Sequence, residues 1–171
     1  MMPPGHIATT WAVFSQQKQT DLDYRWLAAS SLLPDIIDKP LALWIFTKSH
    51  SSQNLCHALL PNLLFLLVAI VRWPKAVPYV LAFNGHLLAD RMWRHTETFW
   101  WPFYGWQTFW QFKYMNSPKA MVEVYIDIIR NYPRVWIIEL LAILYLAWFG
   151  KKYRLYIGAT LREFLQTGRL P

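Results

Sequence analysis

The sequence predicts an all-α fold: a helical bundle in which several helices are embedded in a membrane. Two observations carry that expectation. Apolar residues recur at helical spacing over long segments, whereas the β-branched alternation that marks strands is nearly absent. Hydrophobic residues make up 55% of the chain and charged residues only 16%, against soluble norms of roughly 45–50% and about 25%. The 11 Trp add to this, because Trp and Tyr collect where apolar and wet surroundings meet. A mean hydropathy of only +0.15 keeps much of the chain outside the bilayer.

The elements follow in order. Residues 5 to 17 read as a first helix ending in the polar stretch Gln16 to Asp23. Residues 24 to 33 run helically into Pro34, and a proline pushes the residue before it out of the helical region, so a break is expected at Leu33-Pro34. Asp35 and Asp38 then fall at the mouth of a helix over 35 to 47, where a carboxylate suits the N-terminal dipole. Leu55 to Val71, about 17 residues, reaches the lower limit for crossing a hydrocarbon core, so a span or a buried core helix is expected there. A helix over 76 to 93 follows.

Residues 99 to 112 form an aromatic run interrupted by Pro102 and Gly105, which fits an interfacial belt or re-entrant piece. Residues 118 to 130 read as an amphipathic helix opened by Ser117 and Pro118. Val135 to Phe149 is the second span expected, with Arg134 before it and Lys151, Lys152 and Arg154 after. Glu139 inside it reads as a snorkelling or interhelical hydrogen-bonding group. Residues 153 to 167 read as an amphipathic helix lying on the membrane surface.

At 171 residues one domain is expected over 1–171, with a His/Asp-bearing half at 5–103 and C-terminal helices at 117–171. The net charge of +7 is scattered rather than gathered in a stripe, so anionic lipid headgroups fit it better than nucleic acid. A lone Cys56 allows no intramolecular disulfide and reads as packing rather than as a ligand. The N-terminus has neither a basic segment nor a long apolar one, so no cleaved signal peptide is expected.

The chemistry concentrates in histidines and aspartates set within apolar segments, where ionisable groups are costly. His86 and Asp90 are four apart in Asn84-Gly85-His86-Leu87-Leu88-Ala89-Asp90, so on a helix both face one way and could grip one ion. His6, Asp35 and His57 could join them from other helices. Imidazole nitrogen and carboxylate oxygen suit zinc, so a divalent metal, zinc favoured, one or two ions, is expected. Asp38 and His50 are outer or second-metal candidates. Arg91 and Arg94 follow directly; their planar forks suit phosphate oxygens, or else they anchor the helix end at the headgroup layer.

These residues also carry a resemblance. Gly5-His6, Leu32-Leu33-Pro34-Asp35-Ile36-Ile37-Asp38, an apolar helix bearing His57, Gly85-His86-Leu87-Leu88-Ala89-Asp90 and Trp101-Pro102-Phe103 resemble the bacterial inner-membrane family described as membrane-bound metal-dependent hydrolases, of the YbcI and YdjM type. That family is in turn similar to the zinc-dependent phospholipase C and single-strand nuclease superfamily. The resemblance covers residues 5 to 103 and implies His6, Asp35, His57, His86 and Asp90 as metal ligands. It implies a multi-pass inner-membrane hydrolase in which metal-activated water attacks a small-molecule or lipid phosphoester. The chain departs from the family in placing Asp38 three residues after Asp35 and in lacking Arg-Gly between His50 and His57. A non-enzymatic membrane protein with a structural metal, or with a buried hydrogen-bonded cluster, is the competing expectation.

Overall fold

The computed structural model describes residues 1–17, 21–45, 52–105 and 118–171. Within them the chain forms helices α1 (Pro3–Phe14), α2 (Tyr24–Trp44), α3 (Leu59–Arg72), α4 (Val77–Ala89), α5 (Thr96–Phe99), α6 (Pro118–Asn131), α7 (Pro133–Lys152) and α8 (Gly158–Thr167), and no strand. Short 3-10 turns over Leu55–His57, Pro74–Ala76 and Met92–Arg94 join α2 to α3, α3 to α4 and α4 to α5. The all-α expectation therefore holds.

Pro3 and Pro4 open α1, where a missing N–H costs nothing. Its free amides are met from α7: Glu139 accepts from Met2 N–H at 2.7 Å and from Gly5 N–H at 2.9 Å. A carboxylate at the positive end of a helix is favourable twice over, by hydrogen bond and by dipole. A side chain at Gly5 would bring its Cβ to 2.9 Å from Glu139 Oε1, so glycine permits the approach. Glu139 is thus the interhelical group expected of it.

Asp23 caps α2, accepting from the amides of Arg25 at 2.9 Å and Trp26 at 3.3 Å. The Arg25 guanidinium returns to Asp23 Oδ2 at 2.6 Å and reaches the Gln166 carbonyl at 2.9 Å, tying α8 to the start of α2. Gly168, at φ +71°, ends α8 against the same carboxylate and supplies its carbonyl to Tyr24 N–H at 2.8 Å.

The expected break at Leu33-Pro34 does not occur, and Asp35 and Asp38 are not at a helix mouth. Helix α2 runs unbroken through Pro34 and Pro40. Local proline sterics are outweighed by tertiary packing: α2 lies against both α1 and α4, and Pro34 itself is fully buried. Asp35 and Asp38 consequently sit within one helix, three apart, on one face.

The span alternative for residues 55–71 is not met by length. Residues 55–57 form a 3-10 turn, and α3 has 14 residues, about 21 Å at 1.5 Å per residue against a core of about 30 Å. The helix expected over 76–93 is α4, which stops at Ala89 with Asp90 as its C-cap. Among the described residues α7, with 20 residues, is the helix long and apolar enough to cross a membrane. Its buried residues, Glu139, Ala142 and Phe149, make one narrow stripe, while Ile137, Leu140, Leu141, Ile143, Leu144 and Trp148 are exposed. Apolar faces without protein partners on a helix of that length suit lipid. The aromatic run beyond Gly105 and the cap Ser117 lie outside the described residues.

A core of Phe14, Leu22, Tyr24, Leu27, Ala82, Phe149 and Phe164 joins α1, α2, α4, α7 and α8. Trp11 stacks into it, 4.9 Å from Phe149 between ring centres, and its indole N–H bonds the Tyr24 carbonyl at 3.0 Å. Helix α8 is anchored to this core through buried Phe164, while its Leu161 and Leu165 stay exposed.

Candidate metal centre

Helices α1, α2 and α4 bring His6, Asp35 and His86 together, and the 3-10 turn adds His57. His6, His57 and His86 are buried, at 2%, 0% and 1% exposure. Each proposed ligand's orientation traces to a specific neighbour.

His57 is held from behind by Asp38, whose Oδ2 accepts the Nδ1 proton at 2.7 Å and the Asn54 amide at 2.7 Å. Asp38 Oδ1 accepts from Cys56 N–H at 3.2 Å. Fully buried Asp38 thus fixes both the turn and the imidazole on it. His86 is held by the Ser31 carbonyl, which lies 2.7 Å from its Nδ1. A carbonyl only accepts, so Nδ1 carries the proton and a neutral ring leaves Nε2 as a lone pair. The carboxylate behind His57 sets the same tautomer there.

Both Nε2 atoms are buried without a hydrogen-bond partner. His57 Nε2 is 3.6 Å from Asp35 Oδ1. His86 Nε2 is 3.7 Å from the same oxygen and 3.5 Å from Asp90 Oδ2. These gaps exceed the roughly 2.7–3.2 Å of a hydrogen bond. Two ligands of a tetrahedral zinc, each about 2.0–2.1 Å from the ion, stand about 3.3–3.4 Å apart. The observed separations lie close to that edge. Two overlapping triads, His6 with Asp35 and His86, and His57 with His86 and Asp90, place one ligand atom each within 4.8 Å of one another.

His6 stands differently. Its ring stacks on His86, 3.8 Å between centres and 8° from parallel. Its Nε2 lies 3.2 Å from Asp90 Oδ1 and 3.2 Å from the Met1 carbonyl, both acceptors, and therefore holds a proton in this arrangement. Burial, the largest influence, lowers the His6 pKa, and the Asp90 hydrogen bond opposes it. Burial alone would raise the Asp90 pKa, but the His6 hydrogen bond and the Met1 amino group hold it well below the carboxylate range. Gln53 Nε2 donates to Asp90 Oδ2 at 3.2 Å, and Lys39 Nζ pairs with Asp35 Oδ2 at 2.6 Å.

The sequence-expected set is therefore assembled: His6, Asp35, His57, His86 and Asp90 converge. Asp38, an outer or second-metal candidate from the sequence, stands behind His57 and orients it. His50 lies outside the described residues. Cys56 is half-buried and not part of either triad, with burial the main reason its thiol is pushed up to about 12. Arg91 and Arg94 are exposed just past α4, Arg91 at φ +55°. Sequence reasoning missed the Ser31 carbonyl and Gln53; neither residue type signals such a role, and only the fold places them.

The chain matches no family model, no curated protein and no solved structure.

Proposed function

We propose that the chain is a membrane-associated, metal-dependent hydrolase acting on a phosphoester. The observation that carries this is the pair of buried, partnerless Nε2 atoms of His57 and His86 facing Asp35 and Asp90. His57 and His86, fixed by Asp38 and Ser31, are the primary ligands. Asp35 and Asp90 supply the anionic oxygens, and His6 completes the set by giving up its Nε2 proton. His86 has a single free nitrogen and belongs to both triads, which favours one ion over two. A divalent ion, zinc favoured, supplies a Lewis acid and a water made nucleophilic near neutral pH. Arg91 and Arg94, exposed just past α4, would contribute contacts to phosphate oxygens in this reading.

Membrane association rests on α7, with the apolar outer face of α3 as a second, shorter contact. One crossing helix supports this reading; the multi-pass inner-membrane form expected from the family resemblance goes beyond it. The structural-metal reading draws on one observation, that the two overlapping triads together offer enough imidazole and carboxylate ligands to fill a zinc shell. Against it stands a groove between α1 and α4 whose lining includes His6 and His86, an approach to the centre that a closed structural site has no use for.

The test is metal analysis of detergent-extracted protein with turnover of bis(p-nitrophenyl) phosphate. Near-stoichiometric zinc or manganese, and hydrolysis lost in His86→Ala with Asp90→Ala, are expected. Substoichiometric metal that the double variant leaves unchanged would refute the proposal. Full metal without turnover would leave the structural-metal reading in its place.

A further inference from the structure

The groove between α1 and α4 has a volume of about 460 Å³, within the roughly 300–1,000 Å³ usual for small-molecule sites. His6 and His86 form one end, Thr9, Thr10 and Gln17 set polar groups along α1, and Val13, Phe14, Leu81, Ala82 and Leu88 make most of the remaining wall apolar. Three of these are exposed apolar residues, Val13 at 52%, Leu81 at 44% and Leu88 at 67%. A channel for a wholly polar substrate would have no use for such walls, because apolar surface offers it no partners for the water it sheds.

Gly85 fits the same account. It lies in the middle of α4, where glycine costs about 0.5–1 kcal/mol relative to alanine, and a Cβ there would meet nothing within 4 Å. Neither close packing nor an unusual backbone angle requires glycine. What its missing side chain provides is free space in the groove, beside His86.

We propose that this groove holds the aliphatic chain of an amphiphile whose phosphate headgroup sits at the His6–His86 end. The proposal rests on the metal-hydrolase reading for the headgroup, while the chain site stands on the groove alone. It names the substrate class as single-chain alkyl phosphates or lipids entering by one chain. The exposed apolar faces of α3 and α7 place the protein where such molecules are dissolved.

The experiment uses the full chain held in amphipol and loaded with zinc, titrated calorimetrically with alkylphosphonates from methyl to dodecyl, whose C–P bond resists hydrolysis. A parallel series of n-alkanols needs no metal. Affinity in both series is expected to rise by up to about fourfold per methylene until the groove is full. Gly85→Leu, and independently Thr9→Trp on the exposed rim of α1, are expected to end that rise early. The longest chains should then bind about tenfold more weakly, as for roughly two excluded methylenes, with methylphosphonate binding and zinc content unchanged. Chain-length slopes identical in wild type and both variants would overturn the proposal and assign the chains to the outer faces of α3 and α7. Failure to load zinc, with the alkanol series still blocked by Gly85→Leu, would refute the metal reading and leave the groove assignment standing.

Discussion

Asp38→Asn separates a metal centre from a hydrogen-bonded core, because it alters no proposed ligand. Three donors converge on the Asp38 carboxylate: His57 Nδ1 at 2.7 Å, Asn54 N–H at 2.7 Å and Cys56 N–H at 3.2 Å. An asparagine offers one oxygen and one NH₂. With the oxygen turned to His57 and Asn54, the NH₂ meets the Cys56 amide donor to donor; with it turned to Cys56, His57 and Asn54 lose their acceptor. His57 then gains by moving its proton to Nε2, which withdraws the lone pair from Asp35.

Loss of such an orienting carboxylate costs roughly 10–100-fold in metal affinity, equivalent to about 1.4–2.7 kcal/mol. A buried donor left without a partner adds about 1–3 kcal/mol of lost stability in the metal-free protein. Competition with a fluorescent zinc chelator reads the first quantity, and denaturant unfolding in the presence of EDTA reads the second. Stability falling while zinc affinity stays within about twofold of wild type would refute the reasoning, because Asp38 would then serve the turn alone.

Glu139→Gln places an NH₂ against one of the two α1 amides the carboxylate now accepts; a loss of about 1–3 kcal/mol and faster hydrogen exchange at Met2 and Gly5 are expected. Gly168→Ala would set a Cβ 1.7 Å from Asp23 Oδ1 at a φ of +71°, displacing the α2 cap; a cost of about 1–2 kcal/mol or more should appear as a lower unfolding midpoint. The Asp23 carboxyl is held below its usual pKa, first by the Arg25 hydrogen bond, so its contribution is complete above the unfolded value near 4 and fades as pH falls through the lower folded value. Asp23→Asn should remove that part of the acid limb, as read by unfolding midpoints between pH 6 and 2.

Helices α1, α4 and α7 were legible to within a few residues, because each is a long apolar run bounded by proline or polar residues. The unbroken α2 was not legible: proline at 34 is a local signal for a break, and it is overridden by the packing of α2 on α1 and α4 with Pro34 buried. That single difference changes the site. A break would have left Asp35 and Asp38 as capping groups, whereas in one helix Asp35 faces the histidines and Asp38 reaches behind His57. The five convergent residues were legible because ionisable groups in apolar surroundings are expensive enough to stand out. Their supports were not, since a backbone carbonyl at Ser31 leaves no trace in residue type and Gln53 is an ordinary polar residue of a connecting segment.

The choice between a metal centre and a hydrogen-bonded core turns on counting donors. With Nδ1 of His57 and His86 committed to Asp38 and Ser31, the cluster faces inward with two imidazole lone pairs, Asp35 Oδ1 and Asp90 Oδ2. All four are acceptors. Protonating the imidazoles would supply donors, yet at 3.5–3.7 Å the bonds would be too long to repay the burial of two charged rings. Closing those gaps would require moving a histidine away from the group that orients it, a cost with no return in a hydrogen-bonded core. A cation held by the imidazole nitrogens with a carboxylate would meet these acceptors near the 3.5–3.7 Å separations they already have, which is why the spacing, more than the residue types, supports the metal reading.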